Sequence, residues 1–271
     1  MHPPELTKPT RDRTPPLTSL SIVFPAFNEE LNLRRTVEAC RAVVARVAQV
    51  SEIILVNDGS ADATGAVADK LAREFPGVVA VHHAANQGYG AALKSGIVRA
   101  QHEFIFFSDS DGQFDLEDLL VFAEKSHDFD IVAGYRLKRS DPFYRRLNAY
   151  GWQCLVRLVL GVSVRDIDCA FKLFRRSVFE RVQIRSVGAM VNTEILAQTA
   201  RFGMRICELP VQHFPRREGQ PTGARLHVIV KAFRELFFLY FKLRRISHGQ
   251  AGLFPIPAPA PPLPATDFAR E

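Results

Sequence analysis

Residues 104–118, FIFFSDSDGQFDLED, decide how the rest of the chain is interpreted. An apolar run typical of a buried strand ends in two carboxylates, Asp109 and Asp111, that stand one residue apart. Carboxylates so close repel each other, and each disfavours the ionisation of its neighbour. Solvent, a basic side chain or a bound cation must therefore offset their charge.

Outward from this stretch, short apolar runs alternate with segments of helical spacing. The pattern predicts strands at 20–26, 51–60, 78–83 and 103–109, and helices at 28–47, 62–75 and 88–100. Strands and helices in this order form an α/β fold, a mostly parallel sheet flanked by helices on both faces. Ligands bind such a sheet beyond the carboxyl ends of its strands. Four strand ends are therefore expected to meet in one site: 25–29, 57–60, 86–90 and 109–113.

The composition is that of a globular protein with room for one large domain or two small ones. Of its 271 residues, 47% are hydrophobic and 24% are charged, and the net charge is +6. This basic balance predicts an anionic partner, such as a nucleotide, a lipid phosphate, an acidic membrane or a nucleic acid. The 4 cysteines stand far apart, which indicates reduced thiols in a cytoplasmic protein and argues against structural zinc.

Four regions are predicted along the chain. Residues 1–18 are rich in proline and lack the apolar core of a signal peptide, so a disordered leader is expected. The α/β domain is expected at 19–225, an amphipathic helix at 226–248 and a disordered Pro/Ala-rich tail at 249–271. The apolar run LFFLYF at 236–241 is far too short to cross a bilayer.

Two ordinary explanations leave the acid pair unexplained. An EF-hand loop is excluded because Leu120 stands where that loop needs a glutamate, and because a strand precedes it. A capping role suits Asp115 before the next helix, but it does not extend to Asp109 and Asp111. Two acids beside Gln113 at a strand end suit Mg²⁺, which proteins hold with one or two carboxylates, substrate phosphates and water. The pattern therefore predicts a cation that in turn holds a diphosphate.

Five motifs give the chain a resemblance to a known family. In order along the chain, they are SIVFPAFNEE, VNDGSADAT, NQGYGAALKSG, SDSDGQ and DIDCAFKLFRR. Together they resemble family 2 glycosyltransferases, and most of all the branch of dolichol-phosphate mannosyltransferases and bacterial polyprenyl-phosphate glycosyltransferases. The resemblance covers 19–225 and implies the GT-A fold, an α/β domain that binds a nucleotide-diphosphate sugar.

The resemblance implies a donor site with a divalent cation. It assigns nucleotide contacts to Pro25, Ala26, Glu29, Asp58, Gly88 and Lys94. It assigns Asp109 to the ribose or the metal, and Asp111 and Gln113 to Mg²⁺ or Mn²⁺, which would act as a Lewis acid on the departing diphosphate. Other roles stay open, because Glu29 also suits the first turn of a helix and the glycines of GYG also suit a plain turn.

The resemblance also implies sugar and acceptor contacts in the second half of the chain. It assigns the donor sugar to Asp168, Lys172 and Glu194, of which Glu194 also suits a base or a helix-start acid. It assigns the acceptor phosphate to Arg136, Arg145 and Arg146, although a solvated basic face is the ordinary alternative. The segment HFPRREGQPTGARL resembles a loop that closes over the diphosphate, where Arg216 or Arg217 meets phosphate. The expected catalytic set is Asp109, Asp111, Arg136, Arg216 and Arg217.

The chemistry of the acceptor favours a phosphate. A phosphomonoester has a second pKa of about 6, so near pH 7 it is largely a dianion that attacks without a base. A hydroxyl acceptor would want a base, which is worth about 10²–10⁴ in rate, and no histidine of the motifs is an obvious candidate. The arginines therefore favour a polyprenyl phosphate, and the resemblance implies inversion at the sugar carbon.

The phenylalanines near the end of the chain indicate where in the cell the protein is expected to act. Phe237, Phe238 and Phe241 stand among basic residues, which suits a helix on an anionic membrane surface. An amphipathic helix packed on the core is the equal alternative. The expectation is a cytoplasmic protein, peripheral on the cytoplasmic face of the membrane. A separate membrane protein is a further candidate partner, and no nucleic acid is expected.

Three other functions stay open as alternatives. The same donor chemistry can serve a glycan or small-molecule hydroxyl. A sugar-phosphate nucleotidyltransferase would normally show a glycine-rich, basic signature after its first strand, and PAFNEELN does not. A non-catalytic nucleotide-binding module explains the fold, but not the acid pair, the arginines and the closing loop together.

Overall fold

The computed structural model describes residues 15–137, 151, 154–215 and 235–241. Four predicted site residues therefore lie outside the described residues: Arg145, Arg146, Arg216 and Arg217. The predicted tail and most of the predicted leader and C-terminal helix also lie outside them.

The described residues form seven strands, eight α-helices and a short 3-10 helix (Leu116–Asp118) before the fourth α-helix. The strands are β1 (Leu17–Ala26), β2 (Ala48–Asn57), β3 (Val78–His82), β4 (Phe104–Phe107), β5 (Ile131–Arg136), β6 (Lys172–Arg175) and β7 (Ile206–Val211). The first four helices are α1 (Leu33–Val47), α2 (Thr64–Glu74), α3 (Tyr89–Arg99) and α4 (Leu119–Lys125). The others are α5 (154–160), α6 (Ser177–Arg181), α7 (Val191–Arg201) and α8 (235–241).

The strands form one sheet in the order β3-β2-β1-β4-β6-β5-β7. All neighbouring pairs are parallel except those of β6, which runs antiparallel to both β4 and β5. The predicted α/β fold with a mostly parallel sheet is therefore confirmed. Because β2 and β4 lie on opposite sides of β1, the connections diverge there and leave a crevice beyond the carboxyl end of β1.

The two faces of the sheet bury alternate residues of the same strands. In β4, Phe104 and Phe106 pack with α1 and α4 on one face, while Ile105 and Phe107 pack with α3 and α6 on the other. This alternation follows from the two-residue period of a strand. Both faces are therefore covered, and the carboxyl edge is left for a site.

The first helix begins later than its spacing predicts. Residues 28–32 form a turn before Leu33, in which Asn28 has a φ of 57° and accepts a hydrogen bond from the Ala61 amide at 3.0 Å. Asparagine tolerates this left-handed conformation better than most residues. The turn carries Glu29 to the carboxyl edge of the sheet instead of burying it in a helix.

A third apolar cluster lies beyond β7. Leu236 and Leu239 of α8 are buried against α5, α7 and the residues between α5 and β6. The other side of α8 exposes Phe237, Phe238 and Phe241, with exposed fractions of 65%, 72% and 46%. The described part of this helix thus packs on the core with one face and leaves an aromatic face uncovered. Within the described ranges, no helix has the length and apolar character needed to span a membrane.

Candidate active site

A cavity of about 430 Å³ opens at the crevice beyond β1. Residues from all four predicted strand ends line it: Pro25, Ala26, Phe27, Glu29, Asp58, Asn86, Gly88, Tyr89, Ala92, Asp109, Ser110 and Asp111. The carboxyl ends of parallel strands lie at one edge of a sheet, so the topology brings these distant residues together. A cavity of this size suits a nucleotide-sized ligand.

The acid pair faces this cavity from a loop with a fixed backbone. Burial raises the pKa of Asp109 to about 7 and the charge of Asp111 adds to the rise, while Arg136 opposes it. Between the acids, Ser110 donates from Oγ to the Pro25 carbonyl at 2.8 Å and accepts from Thr36 Oγ1 at its own carbonyl at 2.9 Å. These bonds tie the loop to β1 and α1, and so keep the two carboxylates close together despite their mutual repulsion.

Gln113, the third predicted metal ligand, is tied to the segment after β7. Its Nε2 donates to the Phe214 carbonyl at 2.9 Å, and the Phe214 amide donates to the Gln113 carbonyl at 2.7 Å. The side-chain oxygen, the atom that a hard cation prefers, takes no part in these two bonds.

The acid pair fits a cation that a substrate completes. Among the described residues, no three His, Cys, Asp or Glu side chains cluster as a metal site. Magnesium in proteins is commonly held by one or two carboxylates together with substrate phosphates and water. Asp109 and Asp111 supply such carboxylates, and a divalent cation would relieve the repulsion that raises the pKa of Asp109.

Glu29 keeps its predicted place at the cavity and also organises the turn before α1. Its carboxylate accepts from Asn32 Nδ2 at 2.7 Å, and its amide donates to Thr64 Oγ1 at 2.8 Å. Glu29 therefore lies at the cavity as expected, whereas the alternative of an acid in the first turn of a helix is wrong, because α1 begins only at Leu33 and has no acid in its first turn. Pro25 and Ala26 line the cavity beside it.

Asp58 lies at the cavity, but the protein occupies its carboxylate. Oδ1 accepts from the Gln87 amide at 2.9 Å and Oδ2 from the Gly88 amide at 2.8 Å. His83 Nδ1 lies 2.6 Å from Oδ1, and the Asp58 residue is only 3% exposed. The structure thus gives Asp58 the task of holding the turn at 86–88, in addition to the nucleotide contact expected of it.

The small residues of NQGYG are explained by protein backbone. A Cβ on Gly88 would stand 2.5 Å from the Val187 carbonyl oxygen, and one on Gly90 would stand 2.3 Å from that of Ser186. Gly88 also has a φ of +100°, which disfavours any side chain. These contacts explain both glycines without a nucleotide, and Gly88 also lines the cavity, so its expected nucleotide contact stays a prediction. Lys94 lies one turn further along α3 and is not among the lining residues.

Lys172 is buried, and its contacts correct the expectation that it binds the donor sugar. The residue is 1% exposed, and Nζ donates to the carbonyls of Ile167, at 3.1 Å, and Cys169. Burial lowers the pKa of this ammonium group. Lys172 therefore holds the loop before β6 from inside. Asp168 on that loop is exposed and does not line the cavity.

Glu194, the third predicted sugar contact, is also buried at 1% exposure. Its carboxylate accepts from the Arg185 amide at 2.8 Å and from the Ser186 amide at 2.7 Å. It stands in the first turn of α7 and does not line the cavity. Its position agrees with the helix-start alternative and shows it supporting the segment before α7.

Arg136 forms a two-pronged ion pair that the sequence did not reveal. Nε and Nη2 donate to the two carboxylate oxygens of Asp166 at 2.7 and 2.8 Å, and both side chains are largely buried. The positive charge of Arg136 also opposes the rise that burial and Asp111 cause in the pKa of Asp109. Asp166 opens the motif DIDCAF, 30 residues after Arg136, so no local pattern in the sequence pointed to the pair.

A family model described as glycosyl transferase family 2 matches residues 21–183. Two curated relatives are similar over most of the chain. The dodecaprenyl-phosphate galacturonate synthase of Rhizobium johnstonii is 30% identical over 88% of this chain and 72% of its own length. The dolichyl-phosphate beta-glucosyltransferase of Trichomonas vaginalis is 31% identical over 71% of this chain and 65% of its own length.

Solved structures show the same fold at lower identity. Glucosyl-3-phosphoglycerate synthase of Mycobacterium tuberculosis, crystallised with Mn²⁺, uridine diphosphate and glucosyl-3-phosphoglycerate, superposes with a TM-score of 0.62. It is 19% identical, and the match covers 87% of this chain and 82% of that one. The likeness confirms the predicted GT-A architecture.

Proposed function

Because this chain belongs to glycosyltransferase family 2, we propose that it transfers a sugar from a UDP- or GDP-sugar to a polyprenyl phosphate. The proposed transfer depends on Mg²⁺ or Mn²⁺ and inverts the sugar carbon. The observation that carries the proposal is the cavity, which joins the end of β1 to two carboxylates after β4. The relatives named above support the acceptor, since both names contain a polyprenyl or dolichyl phosphate.

The acid pair is the proposed place of the cation. Asp109 and Asp111, which line the cavity, would hold it from the protein side; the side-chain oxygen of Gln113, which does not line the cavity, is a third candidate. A bound divalent cation supplies charge neutralisation for a departing nucleoside diphosphate. The strand end at Pro25–Glu29 would bind the nucleoside, because Glu29 offers a carboxylate acceptor beside an open wall of the cavity.

Arg136 is the proposed contact of the acceptor phosphate. Asp166 holds Nε and Nη2, so Nη1 is the nitrogen that remains for a phosphate. Arg136 does not itself line the cavity, and neither do Asp168 and Glu194. Arg145, Arg146, Arg216 and Arg217 remain proposed phosphate contacts from the resemblance alone.

The aromatic face of α8 is the proposed membrane contact. Phe237, Phe238 and Phe241 are exposed on one side of a helix whose other side is packed on the core. The sequence continues with Lys242, Arg244 and Arg245, whose charges suit anionic lipids. The proposed location is the cytoplasmic face of a membrane, where a polyprenyl phosphate presents its head group.

A transfer assay tests the proposal. The full chain is incubated with Mg²⁺ or Mn²⁺ and with UDP-glucose, UDP-N-acetylglucosamine, UDP-galactose, UDP-galacturonate or GDP-mannose, with and without a short-chain polyprenyl phosphate. Release of nucleoside diphosphate and a glycolipid detected by mass is the expected result for one donor. Lipid-independent transfer to a hydroxyl acceptor would overturn the acceptor, and binding of nucleotide without any turnover would favour a non-catalytic module.

A further inference from the structure

Residues 185–188, here called the strap, lie across the start of helix α3. The first amides of a helix have no partner within it. The Val187 carbonyl accepts from the Gly90 amide at 2.9 Å and, at 3.3 Å, from the Ala91 amide, which also donates to the Gly88 carbonyl at 3.0 Å. The strap thus occupies the beginning of α3 with protein backbone.

The turn before α3 is held from the other side by Asp58. Its carboxylate accepts from the amides of Gln87 and Gly88, as described above. The turn that carries Gly88 and Tyr89 into the cavity therefore lies between two supports. Tyr89 lines the same cavity as Asp109 and Asp111.

Glu194 fastens the strap to helix α7. Its buried carboxylate accepts from the amides of Arg185 and Ser186 and so fixes the two residues that precede Val187. Buried carboxylates that accept backbone amides form strong, charge-assisted hydrogen bonds. The links run from Glu194 to the strap, from the strap to Gly90, and from α3 to the cavity.

We infer that Glu194 is a positioning residue for the donor site, which holds the strap against α3 and so fixes the cavity wall formed by Gly88 and Tyr89. It acts through the strap and not as a base. This inference deepens the proposed function, because the wall in question belongs to the proposed donor site.

The first test is hydrogen exchange, which needs no ligand and no turnover. Both amides donate to one oxygen of Glu194, so in Glu194→Gln that oxygen loses its negative charge, the two charge-assisted bonds become weaker neutral ones, and the strap should loosen. Exchange at Gly90 and Ala91 is expected to become about tenfold faster, the equivalent of roughly one hydrogen bond. Unchanged exchange at these amides would overturn the inference, even if the chain were not a transferase.

The second test separates positioning from base catalysis. Binding of UDP and of GDP is measured by calorimetry with Mn²⁺ on the full chain, and the pH profile of turnover is measured with the active donor. Glu194→Gln should weaken nucleotide binding about tenfold and leave the shape of the pH profile unchanged. A different result would make Glu194 the base: unchanged nucleotide binding, a loss of turnover of about 10² or more, and a pH profile of turnover without its basic limb.

A second variant disturbs the strap without touching Glu194. In Gly90→Ala, the added Cβ would meet the Ser186 carbonyl oxygen at 2.3 Å, so the strap must move. The same weakening of nucleotide binding is expected, and its absence would contradict the inference even if Glu194→Gln failed to fold. Glu180→Gln, an exposed glutamate on α6, is the matched control and should behave like the unaltered chain.

Discussion

The two halves of the sheet use their polar residues differently. Beyond β1 and β4, the carboxylates of Glu29, Asp109 and Asp111 line a cavity. Around β6 and α7, Lys172 and Glu194 are buried and bind backbone carbonyls and amides. All five carried a predicted ligand contact, so the comparison shows that a motif alone does not distinguish a ligand contact from an internal support.

The largest expected effect concerns the buried ion pair between Arg136 and Asp166. Arg136→Ala takes the guanidinium away from the buried carboxylate of Asp166, and breaking such a pair costs about 3–5 kcal/mol of unfolding free energy. Urea denaturation measures the loss. Arg34→Ala, which removes exposed ion pairs with Glu38 and Glu74, is the control and should change the midpoint far less. Equal losses for both arginines would show that the Arg136 pair is not buried in solution.

The next effect concerns chemistry at the cavity. Asp111→Asn removes one of the two carboxylates proposed to hold the cation, and loss of one preorganised electrostatic contact typically costs about 10²–10³ in turnover. The midpoint of thermal unfolding should stay close to that of the unaltered chain. Asp128→Asn, an exposed acid after α4, is the control. Full activity of Asp111→Asn in the presence of a chelator would contradict the assignment of Asp111 as a ligand of a required cation.

Lys172 gives a smaller effect that sharpens the comparison. Lys172→Met keeps the length of the side chain but leaves the carbonyls of Ile167 and Cys169 without their donor, at a cost of about 1–3 kcal/mol. Stability should therefore fall while nucleotide-sugar affinity changes little. Lys70→Met on the exposed face of α2 is the matched control. A large rise in donor KM without a loss of stability would restore the predicted sugar contact.

The sequence predicted the half of the sheet that carries the cavity better than the half around β6 and α7, because periodicity and topology determine the position of the cavity residues. Residues such as Pro25 and Asp109 end strands that run in one direction, so their side chains must meet at one edge. The order β4-β6-β5-β7 with an antiparallel β6 depends on long-range packing that no local pattern records. The partner of Arg136 was missed for the same reason, because a pair 30 residues apart shows only in three dimensions.

The sequence predicted the location of NQGYG correctly, but the structure gives a different reason for its glycines. The segment was predicted to reach the site, and Gly88 does line the cavity. Its glycines are required because the backbone of 186–188 packs on them, from a segment about a hundred residues later. Steric demands of distant backbone leave the same glycine pattern as a nucleotide would. Only the structure separates the two causes.

The last prediction concerns the pH dependence of stability that the acid pair in the cavity causes. Burial and Asp111 raise the pKa of Asp109 from 3.8 to about 7, so the folded state binds a proton more tightly than the unfolded chain. The penalty is absent below pH 3.8, grows as the pH rises, and is complete above a pH of about 7. Asp109→Asn removes it, and the metal-free melting temperature at pH 8 should rise by about 2–4 °C per kcal/mol regained.

The same variant should show no such gain at pH 4, where Asp109 is protonated in the folded state. Scanning fluorimetry with a chelator at both pH values measures the difference. Adding Mn²⁺ at pH 8 should reverse the order, because the cation stabilises the chain that keeps both carboxylates. A gain that is equal at pH 4 and pH 8 would mean that relief of packing, and not relief of charge, explains it. The acid pair would then affect stability through packing, as the buried residues Lys172 and Glu194 do.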